Sequence, residues 1–133
     1  MIHAGAGDDY VFAGRGNDVV FGGSGFDRLY GGAGNDELHG EDGPNYLYGQ
    51  EGDDKLIGGA GLDRLEGGPG SDTLDGGPGA DTLLVANGDT VLMRRGSGLD
   101  IATADGAFPV SATVRFEDDI IPSEMVVVDF GGS

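Results

Sequence analysis

A chain of 133 residues is long enough for one domain, but 29 glycines, no tryptophan and no cysteine leave few large side chains to offset the backbone entropy lost on folding. Seven basic against 24 acidic residues give a formal net charge of −17, which argues against nucleic acid or an anionic membrane as partner and makes any compact state self-repelling. A disulfide framework is excluded by the missing cysteines, and no apolar run approaches the ~20 residues of a membrane span.

The first residues, Met1 to Gly5, lack the basic and apolar parts of a signal peptide. A repeat begins at Ala4 with no cap before it, so the chain reads as a piece of a longer protein whose upstream domain would be a neighbour. From Ala4 to Leu84 nine nonapeptides follow without insertion, from AGAGDDYVF to GGPGADTLL. Position 4 is always glycine. Position 6 is Asp9, Asp18, Asp27, Asp36, Asn45, Asp54, Asp63, Asp72 and Asp81. Position 8 is always aliphatic, from Val11 and Val20 through Leu29, Leu38, Leu47, Leu56, Leu65 and Leu74 to Leu83. A flexible Gly-Asp linker would not keep that third column.

Each repeat predicts a three-residue strand such as Arg28-Leu29-Tyr30, its middle side chain inward and its neighbours outward. The other six residues form a glycine turn. Two repeats make one coil, so repeat i stacks on repeat i+2 at about 4.8 Å. Position 8 then supplies two facing core columns, too small alone to order the chain.

The same stacking brings position-6 carboxylates close together, which is repulsive without a cation between them. Ca²⁺ takes six to eight oxygen ligands in flexible geometry. The glycine turns aim carbonyls into the same gap, and those of Gly23, Gly25, Gly32, Gly34, Gly59, Gly61, Gly68 and Gly70 are the candidate backbone ligands. Nine repeats stacked in this way hold roughly seven Ca²⁺ ions, enough to cancel most of the net charge of −17. Zinc or iron fits poorly, because the only histidines are His3 and His39 and there is no cysteine. His39, at an outward position 9, reads as a surface histidine.

Departures from the pattern occur early. Ala4 and Ala13 open repeats 1 and 2, at little expected cost. Repeats 5 and 6 replace the second glycine with Glu41 and Gln50, and repeat 5 adds Pro44 and Asn45, so sites using that loop should be the weakest. Glu41, Asp42 and Glu51 read as surface acids rather than substitute ligands. Tyr10, Phe12, Arg28, Tyr30, Tyr46, Tyr48 and Arg64 form an outward stripe, read as stiffening or docking ahead of ligand binding.

Beyond Leu84 the pattern decays. Gly88 keeps the frame but puts Thr90 at position 6, and Gly96-Ser97-Gly98-Leu99-Asp100-Ile101 looks like a repeat shifted by one residue. Thr113–Phe116 and Met125–Phe130 are strand-like, separated by Ile121-Pro122-Ser123-Glu124. Two units are therefore expected: the repeat roll over 4–84, and a degenerate repeat with a capping segment over 85–133.

The three columns resemble the RTX (haemolysin-type) calcium-binding nonapeptide family, whose pattern is G-G-x-G-x-D-x-U-x. Val114 to Val126 resembles the segment that often follows such repeats, with Asp119 where a glycine is usual. The resemblance implies an all-β, right-handed parallel β-roll with a C-terminal β-rich cap. It also implies a monomeric module of a secreted, extracellular bacterial protein, exported by type I secretion and folded by calcium outside the cell. A ligand- or carbohydrate-binding module of an adhesin or carbohydrate-active enzyme is the alternative. No Ser-His-Asp set or HExxH motif is present, so the chain itself reads as a non-enzyme whatever its parent does.

Overall fold

A computed structural model describes residues 1–94, 98, 100–104, 111–117 and 127–129. The strands are β1 (Ile2–Ala6), β2 (Tyr10–Arg15), β3 (Val19–Ser24), β4 (Arg28–Ala33), β5 (Glu37–Asp42), β6 (Tyr46–Glu51), β7 (Lys55–Ala60), β8 (Arg64–Glu66), β9 (Thr73–Asp75), β10 (Thr82–Val85), β11 (Thr90–Arg94), β12 (Ile101–Ala104), β13 (Thr113–Glu117) and β14 (Val127–Asp129). Odd-numbered strands form one seven-stranded sheet and even-numbered strands the other. Every strand pairing is parallel. The chain thus changes sheet at every turn, and Leu29 pairs with Val11 on one side and Leu47 on the other. This is the parallel β-roll expected from the repeat, two nonapeptides to a coil.

The strands are longer than the three expected residues. In β2 to β7 the ladder runs six residues, through the opening glycines of the next repeat, as in Gly14↔Gly32 and Arg15↔Ala33. From β8 to β9 it shortens to three residues. The reason lies in the prolines that follow: Pro69 and Pro78 have no N–H to give to a ladder. The roll also starts ahead of the expected frame, because Ile2 and His3 pair with Val20 and Phe21 as positions 8 and 9 of a preceding repeat.

Position 8 fills the interior. Val20 and every position-8 leucine from Leu29 to Leu83 are 0% exposed, and Ala4 and Ala13 pack against this core. Past Leu84 both sheets continue with altered spacing: Thr82 pairs with Arg64 eighteen residues back, but with Ile101 ahead, and Thr90 pairs with Thr73 and Thr113. In these coils Val85 and Met93 occupy the inward place that glycine holds at position 1 elsewhere, and both are fully buried. Apolar packing replaces the glycine turn there. Ile121 to Glu124, and Gly96, Ser97 and Leu99, lie outside the described residues.

Position 2 needs a left-handed backbone, as at Gly23 and Gly32 with φ of 108° and 114°. Glu41 and Gln50 take the same conformation with φ of 72° and 80°. An L-residue pays about 1–2 kcal/mol for that backbone, so repeats 5 and 6 are locally strained. Glu41, Asp42 and Glu51 are exposed, as surface acids should be.

Candidate metal centre

The position-6 side chains form two columns, one along each edge of the roll where the turns stack. In each, one carboxylate oxygen is fixed by the coil before it. The amide of Asp9 donates to Asp27 Oδ1 at 2.9 Å, that of Asp18 to Asp36 at 2.7 Å, and that of Asp54 to Asp72 at 2.7 Å. Asp27 donates to Asn45 Oδ1 at 2.9 Å and Asn45 to Asp63 Oδ1 at 2.7 Å, so the amide side chain keeps the ladder intact. The ladder ends on two residues outside the nine repeats: Asp72 N–H donates to Asp89 Oδ1 at 3.0 Å and Asp81 N–H to Asp100 Oδ1 at 3.1 Å.

The second oxygen is the informative one. Oδ2 of Asp9, Asp27, Asp36, Asp54, Asp63, Asp72 and Asp81 is buried and has no hydrogen-bond partner. A buried carboxylate oxygen left this way is costly unless something positive serves it. The space beside it is kept open by the position-1 glycine of the same repeat. A methyl group on Gly22 would lie 2.5 Å from Asp27 Oδ2 and 2.8 Å from the carbonyl oxygen of Gly40. On Gly58 it would lie 2.6 Å from Asp63 Oδ2 and 2.5 Å from the Gly76 oxygen. The same crowding, with Asp36, Asp54, Asp72 and Asp81, surrounds Gly31, Gly49, Gly67 and Gly76. Glycine at position 1 leaves space beside an oxygen-lined cradle, whereas at positions 2 and 4 it takes a positive φ and leaves space over a carbonyl oxygen of the neighbouring coil. Hard oxygen donors with no imidazole or thiolate are the donor set of Ca²⁺.

Nothing sharper by way of a cluster is present: among the described residues no three acidic or histidine side chains converge on one point. Each cradle combines one carboxylate with backbone carbonyls. The position-1 carbonyls of Gly40, Gly49, Gly58, Gly67 and Gly76 border the cradles, a set the repeat pattern alone did not single out. Position-4 carbonyls also reach the side-chain tip, since Asn45 Nδ2 donates to Gly43 O at 2.9 Å. The carbonyl oxygens of Gly25, Gly34, Gly59 and Gly61 lie beneath the α-carbons of the glycines one coil on. Ala4 and Ala13 carry a methyl group where the later repeats have glycine, and Asp9 and Asp18 are only half-buried.

Electrostatics agree with an unmet need for positive charge. Burial pushes the carboxyl of Asp63 up to about 6 and those of Asp72 and Asp81 up to about 7, against only partial relief from the backbone amides of Asn45, Asp54 and Asp63. The neighbouring carboxylates of Asp89 and Asp100 add to the shift at Asp72 and Asp81. Burial also raises Asp27 and Asp54. A folded-state value above the ordinary 3.8 means that the metal-free roll binds more protons than the unfolded chain. Its penalty is absent below about 3.8, grows through the window up to about 7, and is complete above it. The metal-free chain should gain strand signal in circular dichroism on acidification from pH 7.5 to about 4.5, and lose it on return. With saturating calcium the same scan should be nearly flat. A metal-free chain that loses structure on acidification would contradict this assignment.

Two further ladders were not legible in the repeat frame. At position 5, Asp8 Oδ1 accepts from Phe26 N at 2.9 Å, Asn17 Oδ1 from Asn35 N at 2.9 Å, and Asn35 Oδ1 from Asp53 N at 3.1 Å. The Asn and Asp residues scattered through that column were the available signal. Asp89 was missed because the turn before β11 is one residue short, so that Asp89, not Thr90, takes position 6; its Oδ2 accepts from Ala86 N at 2.6 Å.

The outward stripe is a set of stacks. Phe12, Tyr30 and Tyr48 lie face to face with centroids 4.7 and 4.8 Å apart, and Arg28 sits over the rings of Tyr10, Phe26 and Tyr46. On the other sheet Phe21 stacks between His3 and His39, and His39 Nε2 lies 3.0 Å from Glu37 Oε1. His39 is thus a rung of a ladder and only partly exposed. A shallow groove of about 270 Å³ opens where the Tyr48 stack ends, bordered by Gln50, Glu51, Glu66 and Pro69.

Comparison with known proteins gives one family. The model described as RTX calcium-binding nonapeptide repeat matches four copies, over residues 1–29, 30–65 and 57–92. No curated protein matches the chain.

Proposed function

Because this chain belongs to the RTX calcium-binding nonapeptide repeat family, we propose that its stacked turns are the switch by which calcium turns a disordered acidic chain into a folded roll. That it is a calcium-binding module follows from the family; which residues serve the ions is the proposal. The observation that carries it is the row of buried, partnerless Oδ2 atoms of Asp27, Asp36, Asp54, Asp63, Asp72 and Asp81, each beside a position-1 glycine. On this reading the complete cradles are those of Asp27, Asp36, Asp54, Asp63, Asp72 and Asp81, close to the roughly seven ions that stacked repeats allow. Asp9 and Asp18 serve weaker outer positions. Glycine carbonyls of positions 1, 2 and 4 complete the oxygen set. A bound Ca²⁺ supplies the charge that lets these carboxylates be buried while ionised.

In the cell this makes folding conditional. Extracellular modules bind calcium at about 10⁻⁴–10⁻³ M, so the chain stays unfolded, and can be threaded for export, where calcium is scarce. Outside a bacterial cell it folds and stabilises whatever domain it is joined to. The C-terminal coils would close the open end of the roll as a cap. Carbohydrate binding is the weaker reading, because the aromatic faces of Phe12, Tyr30 and Tyr48 are turned against one another in a stack.

The test is a calcium titration of Asp63→Ala and Asp72→Ala beside Glu66→Ala, a surface acid 3.7 Å from Arg64 and outside both columns. Loss of a position-6 carboxylate should raise the folding midpoint by roughly threefold or more, in line with loss of a charge-assisted contact. Glu66→Ala should leave it nearly unchanged. Equal midpoints for all three would remove position 6 from the ligand set.

A further inference from the structure

Seven position-6 carboxylates, those of Asp9, Asp27, Asp36, Asp54, Asp63, Asp72 and Asp81, bury an Oδ2 with no hydrogen-bond partner. Asn45 differs from them in chemistry. It is 0% exposed, it occupies the same place in the turn, and its Oδ1 accepts the Asp27 N–H at 2.9 Å as an aspartate would. Its second terminal atom is a donor, and it gives its hydrogen to the carbonyl oxygen of Gly43 in its own turn at 2.9 Å. A methyl group on Gly40 would lie 2.7 Å from that nitrogen, so Nδ2 stands in the cradle where the other repeats present Oδ2. A nitrogen carrying two hydrogens has no lone pair to offer a cation. Where an aspartate and a glycine carbonyl would be two acceptors in need of a positive charge, the amide and the carbonyl satisfy each other.

We infer that the turn of repeat 5 takes no calcium ion, because the Asn45 side-chain N–H fills the place of the cation. The turn is also prepared for that role by Pro44, whose fixed φ restricts the unfolded loop next to Gly43. The consequence is an asymmetry between the two columns. Asp18, Asp36, Asp54 and Asp72 run unbroken along one edge of the roll, each handing its N–H to the next carboxylate. Along the other edge the neutral, ion-free rung of Asn45 separates Asp27 from Asp63 while preserving the hydrogen bonds to both. One edge is loaded as a single array and the other as two shorter ones.

This inference rests on the calcium reading above, and the experiment separates the two. Bound calcium per folded chain is counted by equilibrium dialysis and native mass spectrometry for the natural chain, Asn45→Asp and Asp63→Asn, with folding followed by circular dichroism. Asn45→Asp should bind one more ion than the natural chain, and its fold should depend more steeply on calcium. Asp63→Asn should fold and bind one ion fewer. An Asn45→Asp chain that folds with the natural number of ions overturns the inference. Should that variant fail to fold, Asp63→Asn decides alone: a folded chain that keeps the natural number also overturns it. A natural chain that binds no calcium overturns the calcium reading and this inference together, whereas unchanged counts in folded variants overturn this inference only.

Discussion

Stripped of calcium at neutral pH, the chain is expected to give the circular dichroism of a coil, and millimolar calcium should convert it to a β spectrum with a sharp fall in hydrodynamic radius. The core cannot do this unaided. Its position-8 columns hold one aliphatic side chain per nonapeptide, while every residue of the turns must also be ordered. Against that small gain stand seven buried carboxylate oxygens with no partner and a net charge of −17. At neutral pH the carboxyls of Asp72 and Asp81, raised to about 7 by burial, must be ionised in sites that disfavour the charge or take up protons that the unfolded chain would not hold. A divalent cation in the cradle reverses the sign of these terms together. The transition should be steeper than independent sites allow, because the position-6 residues are joined coil to coil by their own N–H groups. Equal magnesium should do little: Mg²⁺ demands near-octahedral geometry and sheds water reluctantly, and cradles built of one carboxylate and several carbonyls do not suit it. A chain equally compact and β-rich in excess chelator at pH 7.5 would end the argument.

Much of this could be read from the residues because a repeat with three fixed columns has few ways to fold. Position 8 predicted the core column by column, and position 6 predicted that the residues from Asp27 to Asp81 stack coil on coil. The period of nine predicted that Leu29 would pair with Val11 and Leu47. What escaped depends on contacts between coils. The pattern treats the two opening glycines alike, yet Gly22 leaves space next to Asp27 Oδ2, while Gly23 takes a φ of 108° and leaves space over the Gly5 carbonyl oxygen. That difference exists only once a carboxylate is placed against the glycine. Asp89 escaped because a turn one residue short shifts the frame, and register there is kept by the buried Val85, Val91 and Met93, not by glycine spacing. Six-residue strands were hidden because glycine, poor in strands by propensity, joins the ladder here through the stacked turns, until Pro69 and Pro78 withhold the N–H groups.

Cutting the chain after Leu84 should cost the remaining repeats their independence. The cut removes Val85, Val91, Met93 and Ala102, all 0% exposed, which pack as one cluster with Leu74 and Leu83. It removes β11 and β12, leaving β9 and β10 as bare edges that invite pairing with another chain. It also removes the oxygens of Asp89 and Asp100 that accept the N–H groups of Asp72 and Asp81. These last coils differ in kind from the repeats before them, since Val85 and Met93 close the place of the cradle with apolar side chains and Asp89 Oδ2 is served by Ala86 N–H. They can therefore order with less help from calcium and present a template edge to β9 and β10. Residues 1–84 alone should need several-fold more calcium to fold, or fold only as they associate, while the full chain folds in one cooperative step at lower calcium. Calcium titrations of both chains by circular dichroism, with mass determined by light scattering at each end point, separate the cases. If residues 1–84 fold as a monomer at the midpoint of the full chain, the C-terminal coils neither template nor cap the roll.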